Sequence, residues 1–173
     1  MDNLPKRKQT RLPQYDYSSV GAYFITICTI NKSKLLWIFD NTPITDIDKI
    51  KLSPEGIITE QGVLQIQTHY PNIFVDKYCI MPDHIHLIIR IEQNSNGRMI
   101  SAPTISTVIG SLKRWISKQT GLQIWQKSFY DHCIRNQKDY DVKFQYIHNN
   151  PYKYIYKQTL NTFLSPDDIN PDI

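Results

Sequence analysis

The segment Tyr78-Cys-Ile-Met-Pro-Asp-His-Ile-His-Leu-Ile-Ile-Arg-Ile constrains this chain more than any other. Successive side chains of a β-strand point to opposite faces, so Ile85, Leu87, Ile89 and Ile91 form one unbroken apolar face. His84 and His86 then project together from the other side. The apolar face needs a covering layer. The face with two adjacent imidazoles needs a partner of another kind: a metal ion, an acid or a phosphate.

Upstream, Phe74 to Ile80 is a second apolar run, and Met81-Pro82-Asp83 between the two is turn chemistry, so an antiparallel hairpin is expected. Gly21 to Ile30 reads as a strand rich in β-branched and aromatic residues, with a weaker one over Lys34 to Phe39. Ser53-Pro54-Glu55 is a helix start, with a serine cap, proline in the first turn and an acid at the positive end. That helix should run to about Thr68, although Gly56 and Gly62 weaken it.

Thr104 to Gln119 carries Ile105, Val108, Ile109, Leu112 and Ile116 at helical spacing and stops at Gly121. Lys127 to Ile134 fits a last strand, and a final helix should open at Asn136 and close at Asn150-Pro151. The order β-α-β-β-α-β-α describes an α+β protein, most simply a ferredoxin-like antiparallel sheet with helices packed on it. The expected organisation is a basic arm over residues 1–20, one domain over 21–156 and an acidic tail over 157–173.

Charge narrows the partner. The formal net charge is +4, with Lys6, Arg7, Lys8 and Arg11 crowded at the start and no acid between Gln93 and Tyr130. Arg98, Lys113, Arg114, Lys118 and Lys127 fall in that acid-free stretch. A phosphate-bearing partner follows, and Arg7, Lys8, Arg11, Lys113 and Arg114 are the candidate nucleic-acid contacts. Three well-separated cysteines without CxxC spacing argue against a structural zinc site and for a reduced compartment. With no signal peptide or membrane-length apolar run, a cytoplasmic protein is expected.

On the last helix Tyr140, Phe144 and Ile147 share a core stripe, while Val142, Tyr146 and Asn150 share another face. That second face offers a phenol and an amide one turn apart. A tyrosine oxygen can attack a phosphodiester if the phosphate is polarised and the phenol's proton finds an acceptor. Periodicity leaves Tyr130, Tyr140, Tyr146 and Tyr152 all open for that role.

Taken together, five segments resemble the REP-associated tyrosine transposases, single-domain members of the HUH nuclease superfamily. They are Arg11-Leu-Pro-Gln-Tyr-Asp-Tyr, Gly21-Ala-Tyr-Phe-Ile-Thr-Ile-Cys-Thr, Met81-Pro-Asp-His-Ile-His, Phe129-Tyr-Asp-His-Cys-Ile-Arg and Tyr146-Ile-His-Asn-Asn-Pro. The resemblance spans roughly residues 6 to 155. It implies that His84 and His86 bind the metal, that Tyr146 is the nucleophile and that Asn150 is the third metal ligand.

It also implies Mg²⁺ or Mn²⁺ as the ion, a single-stranded DNA hairpin as substrate, and cleavage and rejoining through a 5′-phosphotyrosine. A monomer with Tyr146 acting in cis is expected. Asp83 stands where that family often has Asn; we read it as a turn residue, the alternative being an acid that orients a histidine. His132 and His148 receive no role. Two readings compete with a transposase: a non-catalytic single-strand binder, and a metal-dependent hydrolase using water.

Overall fold

The computed structural model describes residues 20–40, 44–92 and 103–163. Four strands form one antiparallel sheet in the order β2-β3-β1-β4: β1 Gly21–Cys28, β2 Ile73–Ile80, β3 His84–Ile91 and β4 Tyr130–Ile134. The expected hairpin is β2–β3, with a register shift between Val75 and Lys77. This is the ferredoxin-like arrangement, in which the first and last strands pair although the hairpin lies between them in sequence.

Register decides which residues share a face. Thr26 lies opposite His86 and Cys28 opposite His84 across β1–β3. Phe24 lies opposite His132 and Thr26 opposite Tyr130 across β1–β4. Directly opposed residues point the same way, so Phe24, Thr26, Tyr130, His132, His84 and His86 line one side of the sheet. The other side is apolar: Tyr23, Ile25, Ile27, Ile85, Leu87, Ile89 and Ile91 are buried. Each such side chain contributes about 1.5–3 kcal/mol when fully buried, which fixes the register against slippage.

That apolar side is covered by α1 Pro54–Leu64, the single turn α2 Ile66–His69, and α3 Ile105–Thr120. Ser53 caps α1 by accepting from the Gly56 N–H at 3.0 Å, and Thr104 caps α3 by accepting from the Thr107 N–H at 3.2 Å. Gly121, at φ 70°, ends α3 in the left-handed conformation. The expected helix to Thr68 is broken at Gln65 into two pieces. Its glycines have a packing reason: a Cβ on Gly62 would stand 3.0 Å from Leu112 Cδ1 and 3.1 Å from the Trp115 ring. The propensity cost seen in the sequence is the condition for α1 to pass close to α3.

The opposite side of the sheet receives α4, Gln137–Phe163, which packs on β2 and β3. Asn136 opens it by accepting from the Asp139 N–H at 2.9 Å. Tyr140 donates its hydroxyl to Asp76 at 3.1 Å, and the Arg90 guanidinium holds the same carboxylate. Ile147 is buried, as its place on the core stripe requires.

Two expectations fail here. The final helix does not close at Asn150-Pro151 but continues through Pro151 to Phe163. An interior proline costs roughly 3 kcal/mol, and tertiary packing offsets it: Ile155 is buried and the Tyr154 ring meets Trp37 edge-on at 5.3 Å. Lys34 to Phe39 is not a strand. Trp37 makes only an isolated bridge to Leu52, and its indole N–H donates to the Ile80 carbonyl at 2.7 Å, so local β-propensity there serves packing instead. Among the described residues no helix is long and apolar enough to cross a membrane.

Candidate metal and tyrosine site

The two histidines are held by their Nδ1 atoms and meet at their Nε2 atoms. His84 Nδ1–H donates to the Asp83 carboxylate at 2.6 Å, while His86 Nδ1 shares a hydrogen bond of 2.8 Å with the Thr26 hydroxyl. The two Nε2 atoms are 3.1 Å apart. His86 is buried, and that burial, together with the neighbouring His84, pushes its pKa down to about 3. It is therefore a neutral imidazole at ordinary pH. In the tautomer that carries Nδ1–H on each ring, both Nε2 lone pairs point into the same small space.

This donor pair fits a divalent cation. Ligand nitrogens about 2.1 Å from one ion lie about 3.0 Å apart at adjacent corners of an octahedral shell, close to the 3.1 Å observed. Bonds from Nδ1 to a carboxylate and a hydroxyl are the supporting contacts that metal-binding imidazoles need. Among the described residues no three His, Cys, Asp or Glu side chains cluster as metal ligands. Further donors at this pair would be an amide, water or phosphate oxygen.

Tyr146 stands at the same place. Its ring lies 5.1 Å from that of His86 and meets it edge-on, and the Phe24 ring contacts both, at 5.2 Å from His86 and 5.8 Å from Tyr146. Ile147 is buried under α4, so its neighbour Tyr146 turns toward the cleft and remains 43% exposed, accessible to a substrate. The cleft, about 450 Å³, is walled by Phe24, Thr26, His86 and Tyr130 of the sheet and by Lys143 and Tyr146 of α4. Tyr140 points elsewhere, bonded to Asp76. Asn150 lies one turn beyond Tyr146 and is partly buried.

The basic candidates divide. Arg7, Lys8 and Arg11 lie outside the described residues. Lys113 has a structural task that its sequence position did not suggest: its ammonium donates to the carbonyls of Gln126 and Ser128, each at 2.9 Å. It ties α3 to the segment entering β4, and burial lowers its pKa to about 8. Arg114 is exposed on the far side of the sheet, in a groove between α1 and α3 with Gly62, His69 and Trp115.

Asp83 corrects the turn reading, because its carboxylate also orients His84. His132 bonds Asp139 at 2.8 Å, joining β4 to the start of α4. Thr26 and Phe24 were legible as strand residues, but their link to His86 needed the register. Lys143, four residues after Asp139 and three before Tyr146, carried no signal beyond helical spacing.

Fold and site together define an α+β protein in which a sheet-borne imidazole pair faces a helix-borne tyrosine. Known proteins are similar to it in sequence and in fold. The sequence profile of the family described as "Transposase IS200 like" matches residues 60–150. The REP-associated tyrosine transposase of Escherichia coli (strain K12) is 30% identical over 139 residues, covering 80% of this chain and 70% of that protein. A Haemophilus influenzae protein of uncharacterised function is 32% identical over 164 residues, covering 84% and 88%. Among solved structures, a REP-associated tyrosine transposase bound to a REP hairpin superposes with TM-score 0.56 at 20% identity, covering 83% of this chain and 74% of that one. The chain belongs to the IS200-like transposase family, among its REP-associated tyrosine transposases, and so to a class of nucleic-acid-cleaving enzymes.

Proposed function

We propose that this protein cleaves and rejoins single-stranded DNA hairpins, with Tyr146 as the nucleophile. The observation that carries this reading is the meeting of Tyr146 with His86 at 5.1 Å in one open cleft. In the reaction the Tyr146 oxygen bonds to the scissile phosphorus, and the bond from phosphorus to the 3′ oxygen breaks. A 5′-phosphotyrosine and a free 3′-hydroxyl result. The phenol's proton passes to a base or water, and the departing 3′ oxygen takes up a proton. Attack by another 3′-hydroxyl reverses the step and rejoins strands without an external energy source.

His84 and His86 would hold Mg²⁺ or Mn²⁺ through Nε2, with Asn150 as the proposed third ligand. When bound, the ion supplies Lewis-acid polarisation of the phosphate and neutralises its charge. Asp83 and Thr26 hold the imidazoles at Nδ1 and leave Nε2 facing the cleft. Phe24 and Ile147 seat the tyrosine ring and helix against the sheet. A monomer with Tyr146 acting in cis is proposed as the cleaving unit. Arg7, Lys8 and Arg11 are proposed as further DNA contacts, and Arg114 as a more distant one.

Incubation of the full chain with Mn²⁺ and a labelled REP hairpin oligonucleotide should leave a covalent protein–DNA band on a denaturing gel. Tyr146→Phe should abolish the band, and Tyr140→Phe should keep it. A band that persists in Tyr146→Phe and vanishes in Tyr140→Phe moves the nucleophile to Tyr140. Cleavage with no covalent species favours a water nucleophile.

A further inference from the structure

Among the described residues, one cation in the cleft makes no ion pair. Lys143 lies three residues before Tyr146 on α4, so the two side chains leave the helix on the same side. Its ammonium stands 5.2 Å from the centre of the Phe24 ring, which also contacts His86 and Tyr146. Among the described residues Lys143 makes no ion pair or hydrogen bond through this ammonium. The acid one turn back, Asp139, attracts it only weakly, because its carboxylate is bound by His132 at 2.8 Å and by the Arg135 N–H at 3.3 Å. Among the described residues that wall the cleft none is a carboxylate.

A ring face supplies an ammonium with quadrupole attraction but no oxygen acceptor, and all three N–H donors are left to solvent or ligand. The Lys143 side chain is partly buried, so water serves it less well than at an exposed site. Phe24 meanwhile restricts where the charge can sit. The result is a positioned positive charge beside a tyrosine and an imidazole pair. Among the described residues lining the cleft Lys143 is the one ammonium, and the complementary ligand is an anion. For a nucleic-acid-cleaving enzyme that anion is a backbone phosphate.

We infer that Lys143 grips a non-bridging phosphate oxygen of the strand bound beside Tyr146, with Phe24 fixing the position of the ammonium. The contact places the strand by its backbone and is indifferent to base identity. It rests on the cleft being the DNA site, as proposed above, but does not require Tyr146 to be the attacking group.

The test separates the two. In a Tyr146→Phe background, binding of a short labelled oligothymidylate is measured across a salt series, with and without Lys143→Met or Lys143→Arg. Methionine keeps the stem over Phe24 and removes the charge. Loss of one charge-assisted contact should weaken binding about tenfold, and the salt slope should shrink by about 0.7 for one lost phosphate. Arginine should restore most of both, and the melting temperature of all variants should agree.

Unchanged affinity and slope in Lys143→Met would overturn the inference. So would equal losses in the methionine and arginine variants accompanied by a lowered melting temperature, which would make Lys143 a structural prop of Phe24. If the wild type forms no covalent band while these binding differences persist, the nucleophile reading fails and Lys143 stands. If the band forms and Lys143→Met binds normally, only the Lys143 inference falls.

Discussion

The Nε2 atoms of His84 and His86 face each other at 3.1 Å, each ring being held from behind at Nδ1. Their separation matches that of neighbouring ligands on one cation, and their orientation is set by two residues that are not themselves ligands. The supporting contacts are therefore as open to experiment as the histidines.

Asp83→Asn replaces a charged acceptor with an amide, and Thr26→Val removes the hydroxyl on His86. Loss of such supporting contacts typically lowers metal affinity about 10- to 100-fold. We expect both variants to raise the half-saturating Mn²⁺ concentration by that range in calorimetric titration, with little change in melting temperature measured in EDTA. Mn²⁺ should bind more tightly than Mg²⁺, because imidazole nitrogen suits the softer ion. Unaltered Mn²⁺ binding in Asp83→Asn would reduce Asp83 to the turn residue that the sequence suggested.

The burial of His86 makes the metal-free protein acid-sensitive. Its pKa falls from an ordinary 6.5 to about 3 on folding. Between those values the unfolded chain binds a proton that the folded one does not, so stability drops as pH falls. The slope from this one group is about 1.4 kcal/mol per pH unit, and its contribution is fully present only above about pH 6.5. Denaturant titrations in EDTA between pH 4 and pH 7 should show this slope reduced by about that amount in His86→Gln. An identical slope in wild type and variant would place the acid sensitivity in other residues.

Gly56 tests the packing of α1 independently of the site. A Cβ there would collide with the Leu36 carbonyl oxygen, which already accepts from the Ser53 N–H at 3.0 Å and cannot retreat without disturbing that bond. Gly56→Ala should destabilise the protein by about 1–3 kcal/mol, the usual cost of overpacking, despite improving helix propensity. Chemical denaturation would register this as a lowered midpoint. A stabilised variant would show that the loop over Leu36 moves freely.

The hairpin, α3 and the helical stripe of Tyr140, Phe144 and Ile147 were legible because each is governed by a local period, two residues for strands and 3.6 for helices. The same periods put His84 with His86 and Tyr146 with Asn150. Where the sequence misled, a distant partner outweighed a local preference. Pro151 signalled a helix end, but burial of Ile155 and the Tyr154–Trp37 contact carry α4 past it. Lys113 looked like a free basic residue, yet it binds carbonyls 13 and 15 residues away.

The sequence by itself determined the alternation that puts both imidazoles on one side of β3, because side-chain direction in a strand is a local property. Only the tertiary structure decided that the Tyr146 ring meets His86 and what holds the two imidazoles. Thr26 is 60 residues from His86 and becomes its partner through the β1–β3 register. Tyr146 arrives on a helix whose placement depends on packing across the sheet. Such contacts arise from the burial of whole elements, and no spacing within one element encodes them.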